Sequence, residues 1–327
     1  MKVLEAIQKS ADFLAKKGVE SPRLQTELLL AHLLRLPRMN LYLNFERTLA
    51  PAEVDALREL VRRRGRREPL QHITGSTSFC GLEIAVSRHA LVPRPETELL
   101  AELGWEFLNQ LSEDRVPRDP NLKNEDGDSY NSPLRSLDFG TGTGCIAIAL
   151  AVKCPAAKIT ATDVSPDALA LAKENAVRHK VAERIEFLRG DGFEALLGAS
   201  ERGPLARESS GVDTRTSCPR SFDLILSNPP YIPSAEIATL QPEVRDFDPR
   251  GALDGGADGL DFYRLIASQA SAFLKPGGKV MLEFGDGQAG TIRHIFENEK
   301  WIVEAVKEDY SQRARIITAK SSSSSSS

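Results

Sequence analysis

Asn228-Pro229-Pro230-Tyr231 is the stretch whose residue types and spacing are best suited to chemistry. It comes directly after Phe222 to Ser227, an apolar, β-favouring run that predicts a buried strand. Two prolines cannot donate to a neighbouring strand, so they end it and stiffen the chain beyond it. The Asn228 amide is therefore expected at a fixed place at the carboxyl end of a strand, where open α/β sheets bind ligands. Its carbonyl, with the free carbonyl of Pro229, can accept hydrogen bonds from a planar NH2 group, and Tyr231 can pack on that group's flat face. Such an arrangement suits methyl transfer to an amide or exocyclic amine nitrogen. The same four residues also fit a plain Pro-rich turn after a core strand.

A second feature narrows the choice. Leu134 to Phe139 reads as a strand, Gly140-Thr141-Gly142-Thr143-Gly144 comes next, and Cys145 to Val152 reads as a buried helix. A glycine-rich strand-to-helix turn lets a ligand approach the backbone closely. The pattern is neither the G-x-G-x-x-G of dinucleotide sites nor a P-loop, which would end in Gly-Lys-Ser/Thr. A second strand, Lys158 to Asp163, places a carboxylate about 20 residues after the glycines, the usual position for binding ribose hydroxyls. A third, Arg184 to Leu188, ends at Gly190-Asp191-Gly192-Phe193, where Asp191 could accept from an adenine amino group with Phe193 beside the ring. Taken singly, either Asp would serve equally well as a helix cap or turn residue. Four successive strand ends bearing ligand-binding types argue for a site.

The bulk properties set limits. A chain of 327 residues allows about two domains. Its net charge of −4 argues against tight nonspecific nucleic-acid binding. No apolar run approaches the length of a membrane span, and charged residues interrupt any signal-peptide core. Cys80, Cys145, Cys154 and Cys218 lack CxxC spacing and are read as free cytosolic thiols. Five scattered histidines offer no metal pattern.

The elements that must carry these residues are set by periodicity. Residues 1 to about 75 read as all-helical: Val3 to Lys17, then Arg23 to Leu36 opened by a Ser21-Pro22 cap and stopped by Pro37, then Pro51 to Arg67. The run Arg62 to Arg67 reads as cations at a helix C-terminus and on a solvated face. Residues 78 to 92 read as a β-hairpin around Gly81, and Pro93 to Glu98 opens a helix to about Leu111. Polar stretches at 112–133 and 198–221 read as mobile surface loops. Lys279 to Phe284, Trp301 to Val306 and Arg315 to Ala319 read as three further strands, and Ser321 to Ser327 as a disordered tail.

Several of these stretches together resemble the HemK/PrmC family of release-factor glutamine methyltransferases, over nearly the whole chain. They are Ser21 to His32, Glu68 to Gly75, Phe79 to Leu82, Leu91-Val-Pro-Arg-Pro-Glu-Thr-Glu98, Asn228 to Tyr231, and Asp248 to Gly256 with Asp258-Gly-Leu260 just beyond. The Pro-Glu-Thr-Glu ending favours the release-factor branch over the related enzyme acting on a ribosomal protein. The resemblance implies an α/β fold of the class I S-adenosylmethionine-dependent methyltransferase type, Rossmann-like, with a seven-stranded mixed sheet containing one antiparallel strand. It implies an N-terminal all-helical substrate-docking domain at 1–75, a β-hairpin linker at 76–95 and a methyltransferase domain at 96–320. By position, Gly140 to Gly144 would contact the methionine end of S-adenosylmethionine, Asp163 its ribose, and Gly192 with Phe193 its adenine. Asn228 and Pro229 would hold the target amide, with Pro230 and Tyr231 completing that site. The implied substrate is the Gln of the Gly-Gly-Gln motif in class I peptide-chain release factors, in the cytoplasm, with no direct nucleic-acid or membrane partner. Position 192 is often bulky in the family and here is Gly, and Ser311-Gln312-Arg313 replaces a more usual Ser-Gly-Arg.

Two rivals stay open at this point. Asn-Pro-Pro-Tyr also serves enzymes that methylate adenine or guanine amines, which would require a flipped base. A cofactor-binding scaffold without turnover is the non-enzyme reading.

Overall fold

The computed structural model describes residues 1–115, 133–197, 221–309 and 311–322. The polar stretches expected as loops lie almost wholly outside the described residues, as do Cys218 and the tail from residue 323. The chain divides into two compact units.

The first unit comprises Met1–Thr77, Ala85–Arg88 and Ala238–Asp248. Four helices begin it: α1 (Val3–Lys16), α2 (Pro22–Leu34), α3 (Pro51–Gly65) and α4 (Leu70–Thr74). In α1 the apolar positions recur at helical spacing, and Val3, Ala6, Ile7 and Leu14 are buried. They pack with Leu29 and Leu30 of α2 and Leu57 and Val61 of α3. Each such Leu or Ile contributes about 2 kcal/mol by leaving water. Pro22 opens α2 as expected. Ser21, however, does not cap it: its φ is +47° and its side chain makes no cap bond. At α3 the capping carboxylate is Glu53, which accepts from the Ala50 N–H at 2.9 Å.

The arginine run is not simply a solvated face. Arg63 pairs with Glu68 at 2.6 and 2.8 Å. Arg64 is 3 % exposed and donates to Glu243 at 2.6 Å, and Arg67 holds the same carboxylate with two 2.6 Å bonds. Glu243 lies in Ala238–Asp248, so this unit extends well beyond the expected boundary near residue 75.

Strands β1 (Ser76–Phe79) and β2 (Leu82–Ala85) form the hairpin. Cys80 and Gly81, at φ +51° and +76°, make the tight turn that a two-residue hairpin requires. The hairpin is shorter than expected. α4 ends at Gly75, whose carbonyl accepts from the Val86 N–H, so residues beyond 86 find no strand to pair with.

The second unit comprises Ser78–Ile84, His89–Ile237 and Pro249–Ser327. Its elements are α5 (Pro95–Asp114), β3 (Leu134–Phe139), α6 (Cys145–Lys153), β4 (Ala157–Asp163), α7 (Pro166–Arg178), β5 (Ile185–Arg189), β6 (Phe222–Ser227), α8 (Asp261–Gln269), β7 (Leu274–Glu283), α9 (Ala289–Asn298), β8 (Trp301–Glu308) and β9 (Ala314–Ser321). The seven strands β3 to β9 stand in the order β5-β4-β3-β6-β7-β9-β8. β9 is antiparallel to both its neighbours, and the other pairs are parallel. The expected mixed sheet with one antiparallel strand is present.

β6 is buried along its whole length. Its alternate residues serve different faces, as a strand's period of two demands. Leu224 and Leu226 pack with Leu100, Leu108 and α6, while Ile225 packs with Tyr263, Ile266, Ile292 and Phe296. The chain winds outward from β3 through β4 to β5, then returns to β6 on β3's other side. That reversal makes the carboxyl ends of β3 and β6 a topological switch point, where a crevice opens.

Candidate active site

A cleft of about 220 Å³ opens at these strand ends, entirely within the second unit. Phe139 pairs with Thr162, and Ser227 with Leu282, so β3, β4, β6 and β7 finish nearly level. The Ser227 hydroxyl donates to the Phe139 carbonyl at 2.6 Å and ties the two central ends together.

One end of the cleft is backbone. Gly140, Gly142 and Gly144 have φ of +74°, +54° and +82°, a region in which a side chain is strained. A Cβ on Gly144 would also meet that of Ala172 at 3.0 Å. Gly140 and Gly142 line the cleft with Thr141 and Thr143, while Gly144 faces Ala172. Three side chains hold the turn in place. Asp163 accepts from the Gly142 and Ser165 N–H groups at 2.9 and 2.8 Å. Asn175, fully buried, donates to the Thr143 carbonyl at 3.0 Å. Asp138, also fully buried, accepts from the Thr141 hydroxyl at 2.6 Å and the Ala147 N–H at 3.1 Å. Burial pushes the Asp138 carboxyl up to about 6, against those two bonds.

Asp163 thus serves as a turn residue and also lines the cleft. Gly190, Asp191 and Gly192 line it too, with Asp191 exposed. Gly192 sits at φ +56°, which explains a glycine here. Phe193 corrects the expectation. The single 3-10 turn Gly192–Leu196 swings its ring into the core, stacked 4.9 Å from Phe273 and 5.0 Å from Phe139, away from the cleft lining.

The other end is built from side chains. Asn228, Pro229 and Pro230 line the cleft with Thr97 and Arg94 of the Leu91–Glu98 stretch. The Asn228 amide nitrogen donates to Thr97 Oγ1 at 3.0 Å. Thr97 and Asn228 both hydrogen-bond the Glu283 carboxyl, which ends β7 and is 2 % exposed. Burial pushes Glu283 up to about 7. Glu96 pushes the same way, while Thr97, Arg315 and Asn228 oppose it. Its Oε2 has no hydrogen-bond partner. Tyr231, expected on the target amide, is not among the lining residues: a Cβ on Gly285 would lie 3.0 Å from its ring. Only a glycine at 285 leaves room for the ring there, so it packs inward. Burial raises its phenol to about 12.

Sequence reasoning does not single out Asp138, Thr97 or Glu283. A carboxylate directly before a glycine-rich turn, and one ending the apolar run Val280-Met281-Leu282-Glu283, are the signals available.

A backbone end bearing the glycines and a polar side-chain end bearing Asn228 thus meet in one cleft. Among the described residues no cluster of His, Cys, Asp or Glu could hold a metal ion, and no helix is long and apolar enough to cross a membrane.

Comparison with known proteins shows the family. Residues 5–75 match the PrmC N-terminal domain and residues 131–321 a methyltransferase domain. Among curated relatives, the release factor glutamine methyltransferase of Geobacter sulfurreducens is 44% identical over 87% of this chain and 84% of its own length. That of Chlorobaculum tepidum is 39% identical over 96% of this chain and 95% of its own. A bifunctional methyltransferase of Rickettsia conorii is 33% identical over 96% of this chain and 57% of its own.

Proposed function

The chain belongs to the release factor glutamine methyltransferase family, and from that premise we propose that it methylates the Gln side-chain nitrogen of the Gly-Gly-Gln motif in class I release factors. It is an S-adenosylmethionine-dependent methyltransferase. When bound, the sulfonium of that cofactor supplies an activated methyl group and its own leaving group.

The chain's part is position and electrostatics. The backbone at Gly140 and Gly142 has the open approach that the methionine end requires, since neither residue puts a Cβ at the cleft. Asp163 would take the ribose hydroxyls on lone pairs left over from its two backbone bonds, and Asp191 with Gly192 would lie at the adenine.

An amide nitrogen is a poor nucleophile because its lone pair is delocalised into the carbonyl. Asn228 Oδ1 and the Pro229 carbonyl would accept its two N–H groups, orient it, and stabilise positive charge growing on it. Tyr231 stays protonated at neutral pH, so it is not a base here. We assign it a packing role beside the accepting residues, in place of direct contact with the amide. One observation carries the reading: the Asn228 nitrogen is engaged by Thr97, which leaves its oxygen for an N–H donor.

In this reading the helical unit docks the release factor, in the cytoplasm. Incubation with methyl-labelled cofactor and whole release factor should add one methyl to that Gln, and Gln→Glu in the substrate should block it. Label in DNA, RNA or a ribosomal protein, with none in release factor, would overturn it.

A further inference from the structure

Outside the cleft, the buried polar clusters of the second unit are explained by architecture. Asp223, for one, anchors the start of β6 through Arg115, Lys275 and the Arg135 N–H. Glu283 is different. It sits next to the accepting pocket, almost fully buried, with one oxygen unpartnered. A half-satisfied buried carboxyl costs stability, so its presence calls for a reason other than stability.

We infer that Glu283 is a positioning residue which, directly and through Thr97, fixes the Asn228 amide with its nitrogen inward and its oxygen toward the methyl acceptor. The inference deepens the proposed function, since it rests on Asn228 acting as the amine acceptor. The count of available protons carries it. An Asn amide can turn over unless its partners distinguish oxygen from nitrogen. Thr97 alone does not, because a hydroxyl both donates and accepts. An ionised carboxylate only accepts. With Glu283 ionised, the single Thr97 proton goes to it, and Thr97 Oγ1 can then only accept. Asn228 must present its NH2, and Oδ1 is left for the substrate.

With Glu283 protonated, the carboxyl can donate to Thr97. The Thr97 proton is then free to meet Asn228 Oδ1, and the selection is lost. Register supports the coupling. Ser227 pairs with Leu282, so Asn228 and Glu283 leave neighbouring strands side by side. The charged and titratable groups facing Glu283 are Glu96 from α5, Arg315 from β9, Tyr263 from α8 and Tyr231 after β6. Arg94 acts on Tyr231 in turn.

The test is Glu283→Gln, a near-isostere whose amide can donate. In the unaltered enzyme, kcat should rise with pH through about 7 and then level off. In Glu283→Gln that rise should vanish and kcat at pH 8 should fall about tenfold or more, with cofactor affinity within twofold. The side-chain NH2 signals of Asn228, identified by their loss in Asn228→Ser, should titrate in the unaltered protein and not in Glu283→Gln. That measurement needs no substrate. A wrong acceptor would therefore silence the methylation assay while leaving the titration to decide this point. Should Glu283→Gln fold poorly, Thr97→Val should reproduce the loss of kcat, and Thr97→Ser should recover most of it. A Glu283→Gln enzyme with normal kcat and an unchanged pH profile, or Asn228 signals that ignore the substitution, overturns the inference.

Discussion

Asp138 lies one residue before the end of β3, under the glycine turn, and Glu283 ends β7 beside Asn228. Both are buried carboxyls raised by desolvation, each with one oxygen unpartnered. Their partners differ. Asp138 bonds to Thr141, three residues on, and to the Ala147 N–H, nine residues on. It secures local backbone. Glu283 bonds to Thr97 and Asn228, which lie 131 residues apart in the chain. It secures side chains that meet only in the folded state. The glycine turn is therefore held mainly by neighbours within about 30 residues, whereas the Asn228 end depends on three elements far apart in the chain arriving together.

Breaking the acceptor end alone should have the largest effect. Asn228→Ala should cut kcat by about 10²-fold or more while cofactor affinity changes less than twofold. Near-normal turnover would show that the two ends do not divide the work as described. The converse is Asp163→Ala, which removes a charged acceptor from the other end, one anchor from the glycine turn and one from the start of α7. It should weaken cofactor binding by about 1.5–3 kcal/mol, read by calorimetry. Unchanged affinity would reduce Asp163 to a turn residue.

The legibility of the two ends respects the same division. Glycine spacing and alternating apolar runs are local patterns, so the strand-to-helix glycine turn, the sheet and the place of Asn228 at a strand end are readable from the chain. Phe193 is not: whether the residue after Gly192 faces cleft or core depends on a 3-10 turn that swings it inward. The hairpin falls short of its expected length because its limit is set by Gly75, at the end of a helix of only five residues. Thr97 and Glu283 acquire a role only through tertiary adjacency, which spacing does not encode.

Stability against pH sharpens the comparison at lower amplitude. Glu283 has its pKa raised on folding, from 4.5 to about 7. Its contribution is therefore full below about pH 4.5 and is lost as pH rises through 7. Glu283→Gln should leave the melting temperature nearly unchanged at pH 5 and raise it by a few degrees at pH 8.5, for a gain of about 3 kcal/mol. An equal shift at both pH values would mean that ionisation is not the cost the site bears.

The smallest expected effect touches neither end. Gln312 sits at φ +60°, a left-handed conformation that favours glycine. Gln312→Gly should stabilise by about 0.5–1 kcal/mol with kcat unchanged, as relieved left-handed strain outweighs the added freedom of the unfolded chain. A loss of stability in thermal melts would refute that account.

The helical unit has a consequence for synthesis. Its first stretch ends at Thr77, but the carboxylate that pairs with buried Arg64 and with Arg67 comes from Ala238–Asp248. At ~5–20 residues per second, roughly ten to thirty seconds pass on the ribosome before Glu243 is made. Until then the nascent amino-terminal unit carries two arginines without their shared counterion, and it is closed off only after four of the seven strands of the sheet, β3 to β6, have been made.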